Sequence, residues 1–132
     1  MAATDTKATH LTQVSTVIVP VTDQDRAIEF YTEKLGFEKR ADIPFGESER
    51  WVEVAPPGAD TTLALMPPRE GESAGIETRV ALRSTDIDAD HADLLARGVD
   101  IDPEVMRMGG PVPPMFFLRD QDGNRMFAVQ LG

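Results

Sequence analysis

The side chains of this sequence that could do chemistry are few: two carboxylates, Glu53 and Glu77, one arginine between strand-like residues, Arg79, and the only indole, Trp51. A buried glutamate can be tuned toward neutral pH and act as a general base. A guanidinium can fork onto a carboxylate or phosphate, and an indole offers a face on which a planar molecule stacks. Each has a plainer use. Arg79 can pair internally with Glu53 or Glu77, and Trp51 can serve as a hydrophobic anchor or a dimer contact. The sequence contains no cysteine, which removes disulfides, thiolate metal sites and thiol nucleophiles. Its two histidines are His10, in a polar N-terminal stretch, and His91, inside DADHADLL on a polar helix face; both read as solvated. Glu53 and Glu77 with a shifted third partner are then the remaining route to a metal. Two carboxylates without an imidazole hold a hydrated cation only weakly.

Other motifs carry less. Asp86, Asp88, Asp90 and Asp93 lack the turn glycine and bidentate glutamate of a calcium loop, and read as a helix cap followed by a solvated face. Gly109-Gly110, amid Pro111, Pro113 and Pro114, precedes no helix and so forms no phosphate cradle; it is a connector or a loop closing over a cleft. No Gly-x-Ser-x-Gly elbow occurs.

The elements that must position these residues come as a repeat. Val17–Phe37 reads VIVPVTDQDRAIEFYTEKLGF and Val80–Val99 reads VALRSTDIDADHADLLARGV, with Val17 and Val80 63 positions apart and Gly36 and Gly98 62 apart. Each copy has a short β-branched strand, an Asp cap, an amphipathic helix and a glycine stop. Strands are expected at 14–21, 37–43, 50–55, 61–66, 76–83, 101–106, 115–119 and 125–131. Helices are expected from Thr22 or Asp23 to about Leu35 and from Asp86 or Asp88 to Gly98. The order is βαβββ twice, an α+β fold. Each half is small for an independent domain, so the two are expected to share one core and one pocket. Alternation gives each sheet an aliphatic face, exemplified by Val17, Val19 and Val21. The opposite face carries Thr16, Ile18 and Pro20 with Trp51, Glu53 and Met66, the mixture of a ligand cleft.

Composition sets the outer bounds. The 132 residues suit one domain, with a tail at 1–11 and a folded part at 12–132 divided into modules of about 12–67 and 76–132. Net charge is −10, from 23 acidic and 13 basic residues. A broad nucleic-acid surface or an anionic membrane is disfavoured as a partner. MAATDTKATHLTQ has no apolar run, so no signal peptide is read, nor any membrane span, and a cytoplasmic location is the default.

Two segments carry a family resemblance. VTDQDRAIEFYTEKLGF resembles the first-module signature of the vicinal oxygen chelate superfamily, which includes glyoxalase I, extradiol dioxygenases, and fosfomycin- and bleomycin-resistance proteins. FFLRDQDGNRMFAVQ resembles its closing hairpin, in which an Asp-x-Asp-Gly turn precedes the last strand. The resemblance spans about residues 13–131. It implies two βαβββ modules curling sheets around a cleft, and commonly a homodimer. In metal-dependent members the ligands are His, Glu or Gln on the first and last strands of each module. Alignment places Thr16, Ala64, Arg79 and Phe127 at those positions. None is a metal ligand, and Arg79 would repel a dication.

No metal or cofactor is therefore expected. The leading reading is a metal-independent small-molecule binding protein like the bleomycin-resistance branch, with Thr16, Ile18, Trp51, Glu53, Ala64, Met66, Arg79 and Phe127 lining the cleft. Glu53 and Glu77 would favour cationic ligands, and Arg79 an anionic edge. The alternatives are a metalloenzyme of the glyoxalase or dioxygenase type with relocated ligands, and a metal-free lyase or isomerase using Glu53 or Glu77 as base with Arg79 on an oxyanion. No catalytic residue is assigned.

Overall fold

A computed structural model describes residues 6–132, so part of the expected 1–11 tail lies outside the described residues. Two four-stranded mixed sheets follow one another. The first contains β1 (Thr16–Pro20), β2 (Glu38–Phe45), β3 (Glu49–Ala55) and β4 (Thr62–Met66) in the order β1-β4-β3-β2. The second contains β5 (Glu77–Ser84), β6 (Asp100–Ile101), β7 (Met115–Arg119) and β8 (Arg125–Gln130) in the order β5-β8-β7-β6. In each module the first strand runs parallel to the last, and the remaining pairs are antiparallel. This is the twofold βαβββ order that the repeat implies. The parallel pairing follows from the helix, which carries the chain back across the sheet.

Both helices start where the sequence places them. Asp23 accepts from the Arg26 amide at the start of α1 (Gln24–Glu29), and Asp86 accepts from the Ala89 amide at the start of α2 (Ile87–Ala96). The first helix departs from the expectation that it runs unbroken to Leu35. Residues Phe30–Lys34 form a π-helical turn, in which the Leu35 amide donates to the Phe30 carbonyl. Within that turn the Thr32 hydroxyl donates to the Ile28 carbonyl at 2.7 Å, and Tyr31 is fully buried. The expected strand at 101–106 shrinks to Asp100–Ile101 plus a single bridge between Met106 and Met115. Pro103 cannot donate to a ladder there.

Alternation sorts the sheet faces as expected. Val19, Val21, Val52, Val54, Leu63 and Leu65 of the first module join Ile87, Val99, Phe116, Leu118, Met126 and Ala128 of the second in one buried cluster. Phe116, whose phase sequence alone leaves open, belongs to this core, while Phe117 faces the other way.

The closing turn ties the modules together through buried polar groups. Asp120 Oδ2 accepts from the Tyr31 hydroxyl at 2.7 Å and from Asn124 Nδ2 at 2.9 Å, while Oδ1 accepts the Asp122 and Asn124 amides. Asn124, with no exposed surface, also donates to the Pro20 carbonyl at the end of β1. Its Oδ1 accepts the amides of Gly75 and Ile76 in the connection between modules. Every polar valence of both side chains is used, as burial requires. Nearby, Thr22 gives its amide and hydroxyl to Asp122. Burial pushes the Asp122 carboxyl up, but these bonds outweigh it and hold the group below its ordinary value. Gly75 has φ of 81°, and a Cβ there would meet the Asp122 carbonyl at 2.9 Å, so only glycine fits. Lys34 and Arg97, 63 positions apart, each donate to the other's carbonyl, at 2.7 and 2.9 Å.

Burial, then the adjacent Asp120 carboxylate, raises the Tyr31 phenol well above its ordinary value. The native state thus holds that proton more tightly than the unfolded chain does. The resulting stability is complete below the unfolded phenol value of about 10 and declines as pH climbs toward the folded value. Tyr31→Phe is expected to lose about 1–3 kcal/mol in urea unfolding at pH 7 and to flatten the loss of stability above about pH 10. An unchanged midpoint would show that this bond contributes nothing.

Candidate functional site

The outward face of the first sheet is built by the pleat of β1, β4 and β3. Ile18 stands in register with Ala64, Ala64 with Glu53, and Thr16 with Thr62. Trp51 lies two residues before Glu53 and pairs across to Ile43 on β2. A cavity of about 720 Å³ opens on this face, lined by Ile18, Pro20, Phe45, Trp51 and Met66 together with the connecting segment around Arg69, Glu72 and Ser73. Ile18 is 59% exposed there although strongly apolar. The Phe45 and Trp51 rings stand 5.7 Å apart at 59°.

A chain of polar bonds lies beside the indole. Trp51 Nε1 donates to Glu53 Oε2 at 2.5 Å, and the Thr62 hydroxyl donates to Glu53 Oε1 at 2.8 Å. With the Thr62 proton so used, Thr16 donates to Thr62 Oγ1 at 2.9 Å. Glu53 has no cationic partner among the described residues, so the expected pairing with Arg79 does not form. The other carboxylate, Glu77, pairs with Arg125, whose Cζ sits 3.9 Å from the Phe117 ring centre.

Of the eight sequence-named site residues, six gather on this one face: Thr16, Ile18, Trp51, Glu53, Ala64 and Met66. Phe127 lies on the corresponding face of the second sheet, opposite Ala81 and Phe117, with the Phe117 ring at 5.7 Å. Arg79 goes elsewhere. The pairing of β5 with β8 breaks between Glu77 and Ala81, and Arg79 in that bulge takes φ of 62°. It lines a different cavity of about 700 Å³ between the modules, with Val17, Leu63, Val80, Leu82 and Leu118. A pocket shared by the two halves is present, as expected, but of the eight named residues it is lined by Arg79 alone; the mixed face that carries Ile18, Trp51 and Met66 opens on the other cavity. Within one chain Glu53 lies on the outward face of the first sheet and Arg79 at the inter-module cavity, so these two do not meet, while Glu77 is paired with Arg125.

The donor set does not fit a resident dication. The four family ligand positions hold a hydroxyl, a methyl, a guanidinium and a phenyl group. Among the described residues no group of three or more His, Cys, Asp or Glu side chains could hold a metal ion. His10 is exposed, but His91 is a correction: it is half-buried, its Nε2 bonds the Asp102 carbonyl at 2.7 Å, and its ring edges Phe116 at 5.0 Å. Sequence reasoning missed Phe45 and the connecting segment as cavity walls. The alternation of Ile43 and Phe45 in β2 was the available signal for the first. Nothing local marks the second, because its placement depends on Asn124. No helix among the described residues is long and apolar enough to cross a membrane.

The comparisons with known proteins agree with this architecture. The family model described as Glyoxalase/Bleomycin resistance protein/Dioxygenase superfamily matches residues 10–126. The protein YetH of Bacillus subtilis (strain 168) is 36% identical over 115 residues, covering 85% of this chain and 92% of YetH. TnmS3, described as an antibiotic binding protein from Streptomyces sp. CB03234, superposes with a TM-score of 0.83 at 36% identity, covering 95% of this chain and all of that one. A superfamily member from Sphaerobacter thermophilus DSM 20745 gives a TM-score of 0.86 at 34% identity, covering 92% and 98% of the two chains.

A non-glycine residue at positive φ is strained by about 1 kcal/mol or more. Arg79→Gly is expected to raise stability by up to about 1 kcal/mol in thermal or urea unfolding; a clear loss would mean that the side chain makes contacts that outweigh the strain.

Proposed function

Because this chain belongs to the glyoxalase/bleomycin resistance protein/dioxygenase superfamily, we propose that it is a metal-independent small-molecule binding protein that sequesters a planar drug-like or metabolite ligand. The observation that carries this reading is the cavity of about 720 Å³ walled by Trp51, Phe45, Ile18 and Met66 on the outward face of the first sheet. Its size is that of a small-molecule pocket, and its walls are apolar and aromatic with a few polar groups at one side. The residues at the family's ligand positions supply no metal donors, so binding energy alone suffices as the function. The likeness to TnmS3, described as an antibiotic binding protein, supports the same class of role. Thr16, Glu53 and Ala64 share the outward face with Trp51 and are proposed to extend the site beside it. Phe127, on the second sheet, is proposed to complete a cleft from the opposite side.

A homodimer accounts for that completion. β1 and β5 are each the outermost strand of their sheet, leaving two unpaired backbone edges next to apolar surface. Such edges are ready to pair with another chain. A second copy that covers them would set the Trp51 face of one chain against the Phe127 face of its partner. Residues 12–132 are read as one domain, because a single buried cluster runs through both modules. A cytoplasmic location is proposed with this role.

Trp51 is the only tryptophan and reports directly on the cavity. Titration with planar aromatic antibiotics and metabolites is expected to give a saturable change in its emission that EDTA does not alter, and Trp51→Ala to weaken binding about tenfold. A broad panel producing neither an emission change nor a thermal shift would refute the binding role, and tightly held zinc, nickel, manganese or iron in the purified protein would refute metal independence. Light scattering is expected to give twice the chain mass of 14.5 kDa; a monomer at micromolar concentration would refute the paired cleft.

A further inference from the structure

The geometry points to a charge preference built into the indole itself: we infer that Trp51 and Glu53 act as one unit, a negatively polarised aromatic plate, and that the molecule bound against it is a planar organic cation. This rests on the binding role proposed above and adds the ligand's chemical class. The starting point is the bond from Trp51 Nε1 to Glu53 Oε2 at 2.5 Å. An indole attracts cations to its face through its quadrupole, and indole is the strongest of the aromatic side chains in this respect. A carboxylate accepting the ring N–H pulls positive charge toward the ring edge and leaves the face richer in electrons. Hydrogen-bonded groups polarise one another in this way, most where water is partly excluded.

Four further observations bear on it. The carboxylate is half-buried and has no cation beside it among the described residues, so its charge is not cancelled locally. It is held in place by the Thr62 hydroxyl, itself backed by Thr16, so swinging away from the indole would give up both the indole and the hydroxyl bond. The charged groups on the cavity wall do not oppose it: Arg69 is paired with Glu72, and Glu49 has no ion pair among the described residues. Phe45, tilted against Trp51, offers a second aromatic wall for the same ligand. Glu53 is thus a positioning and specificity-determining residue, which acts through the ring that the ligand touches.

The test uses two flat tricyclic molecules of nearly equal shape, 10-methylacridinium, a permanent cation, and acridine, uncharged at pH 7.5. Binding to the full chain is followed by Trp51 emission and by the dyes' own fluorescence. The wild-type protein is expected to bind the cation about tenfold more tightly than acridine. Glu53→Gln, which keeps an acceptor for the indole, is expected to bring the ratio close to one while acridine binding stays within about twofold. Trp51→Phe, which keeps a ring without the N–H, is expected to lower the ratio as well, read from dye fluorescence. Glu33→Gln, an exposed change on the opposite side of the sheet, removes the same unit of net charge and is expected to leave the ratio unchanged; if it lowers the ratio as much as Glu53→Gln, overall charge rather than the plate is responsible and the inference fails. Equal binding of both dyes by the wild-type protein would overturn the charge preference and leave the binding role standing. Binding of neither would overturn both. Circular dichroism confirms that each variant folds, and an unfolded Glu53→Gln leaves the decision to the wild-type ratio and Trp51→Phe.

Discussion

One buried carboxylate and one buried amide hold this molecule in register. Asp120 and Asn124 lie in the turn between β7 and β8, yet their bonds reach Tyr31 on the first helical segment, Pro20 at the end of β1 and the Gly75–Ile76 connection. Left unpaired in the core, either group would cost several kcal/mol. Satisfied on every valence, they restrict the ways in which the second module can meet the first. Hydrophobic contact between the inward faces supplies driving force but little direction. The polar network supplies the direction, since a slip of one residue would orphan several groups at once.

The site follows from that constraint. With the inward aliphatic faces committed to the shared core, the mixed faces must look outward, and the same network lays the 67–76 segment along the cavity edge. The first sheet presents Trp51 and Ile18 to that cavity, and the second presents Phe117 and Phe127 on a surface of its own. In a family whose metal enzymes draw ligands from both modules, this chain has hydroxyl, methyl, guanidinium and phenyl groups at the four corresponding positions. What remains on the first sheet is a polar thread, Thr16 to Thr62 to Glu53 to Trp51, ending on an aromatic face. Such a thread orients a ring.

The fold was legible from local signals. The Asp23 and Asp86 caps and the two-residue period of Val17–Val21 each depend on neighbours along the chain, and the structure places them as read, although β1 itself ends at Pro20. The misreadings have a common origin in distant contacts. The π-helical turn at Phe30–Lys34 holds Tyr31 where Asp120 can reach it, a bond spanning 89 residues. His91 read as solvated because its helix neighbours are polar, and only the approach of Asp102 and Phe116 covers it. Arg79 follows the offset of 63 from Thr16, but the bulge in β5 turns it toward another cavity.

By itself, then, the sequence determined which residues share a face, because strand and helix periods are properties of the local backbone. It also determined that Thr16, Ala64, Arg79 and Phe127 stand at the positions aligned with the family's metal ligands, because a side chain's identity does not depend on where the chain puts it. Tertiary structure alone decided which faces enclose space: whether Trp51 and Arg79 share a pocket, whether Glu53 pairs with a cation or an indole, and where the inter-module segment lies. Those outcomes depend on the relative placement of two sheets, and that placement is fixed by a few buried hydrogen bonds between residues far apart in the chain.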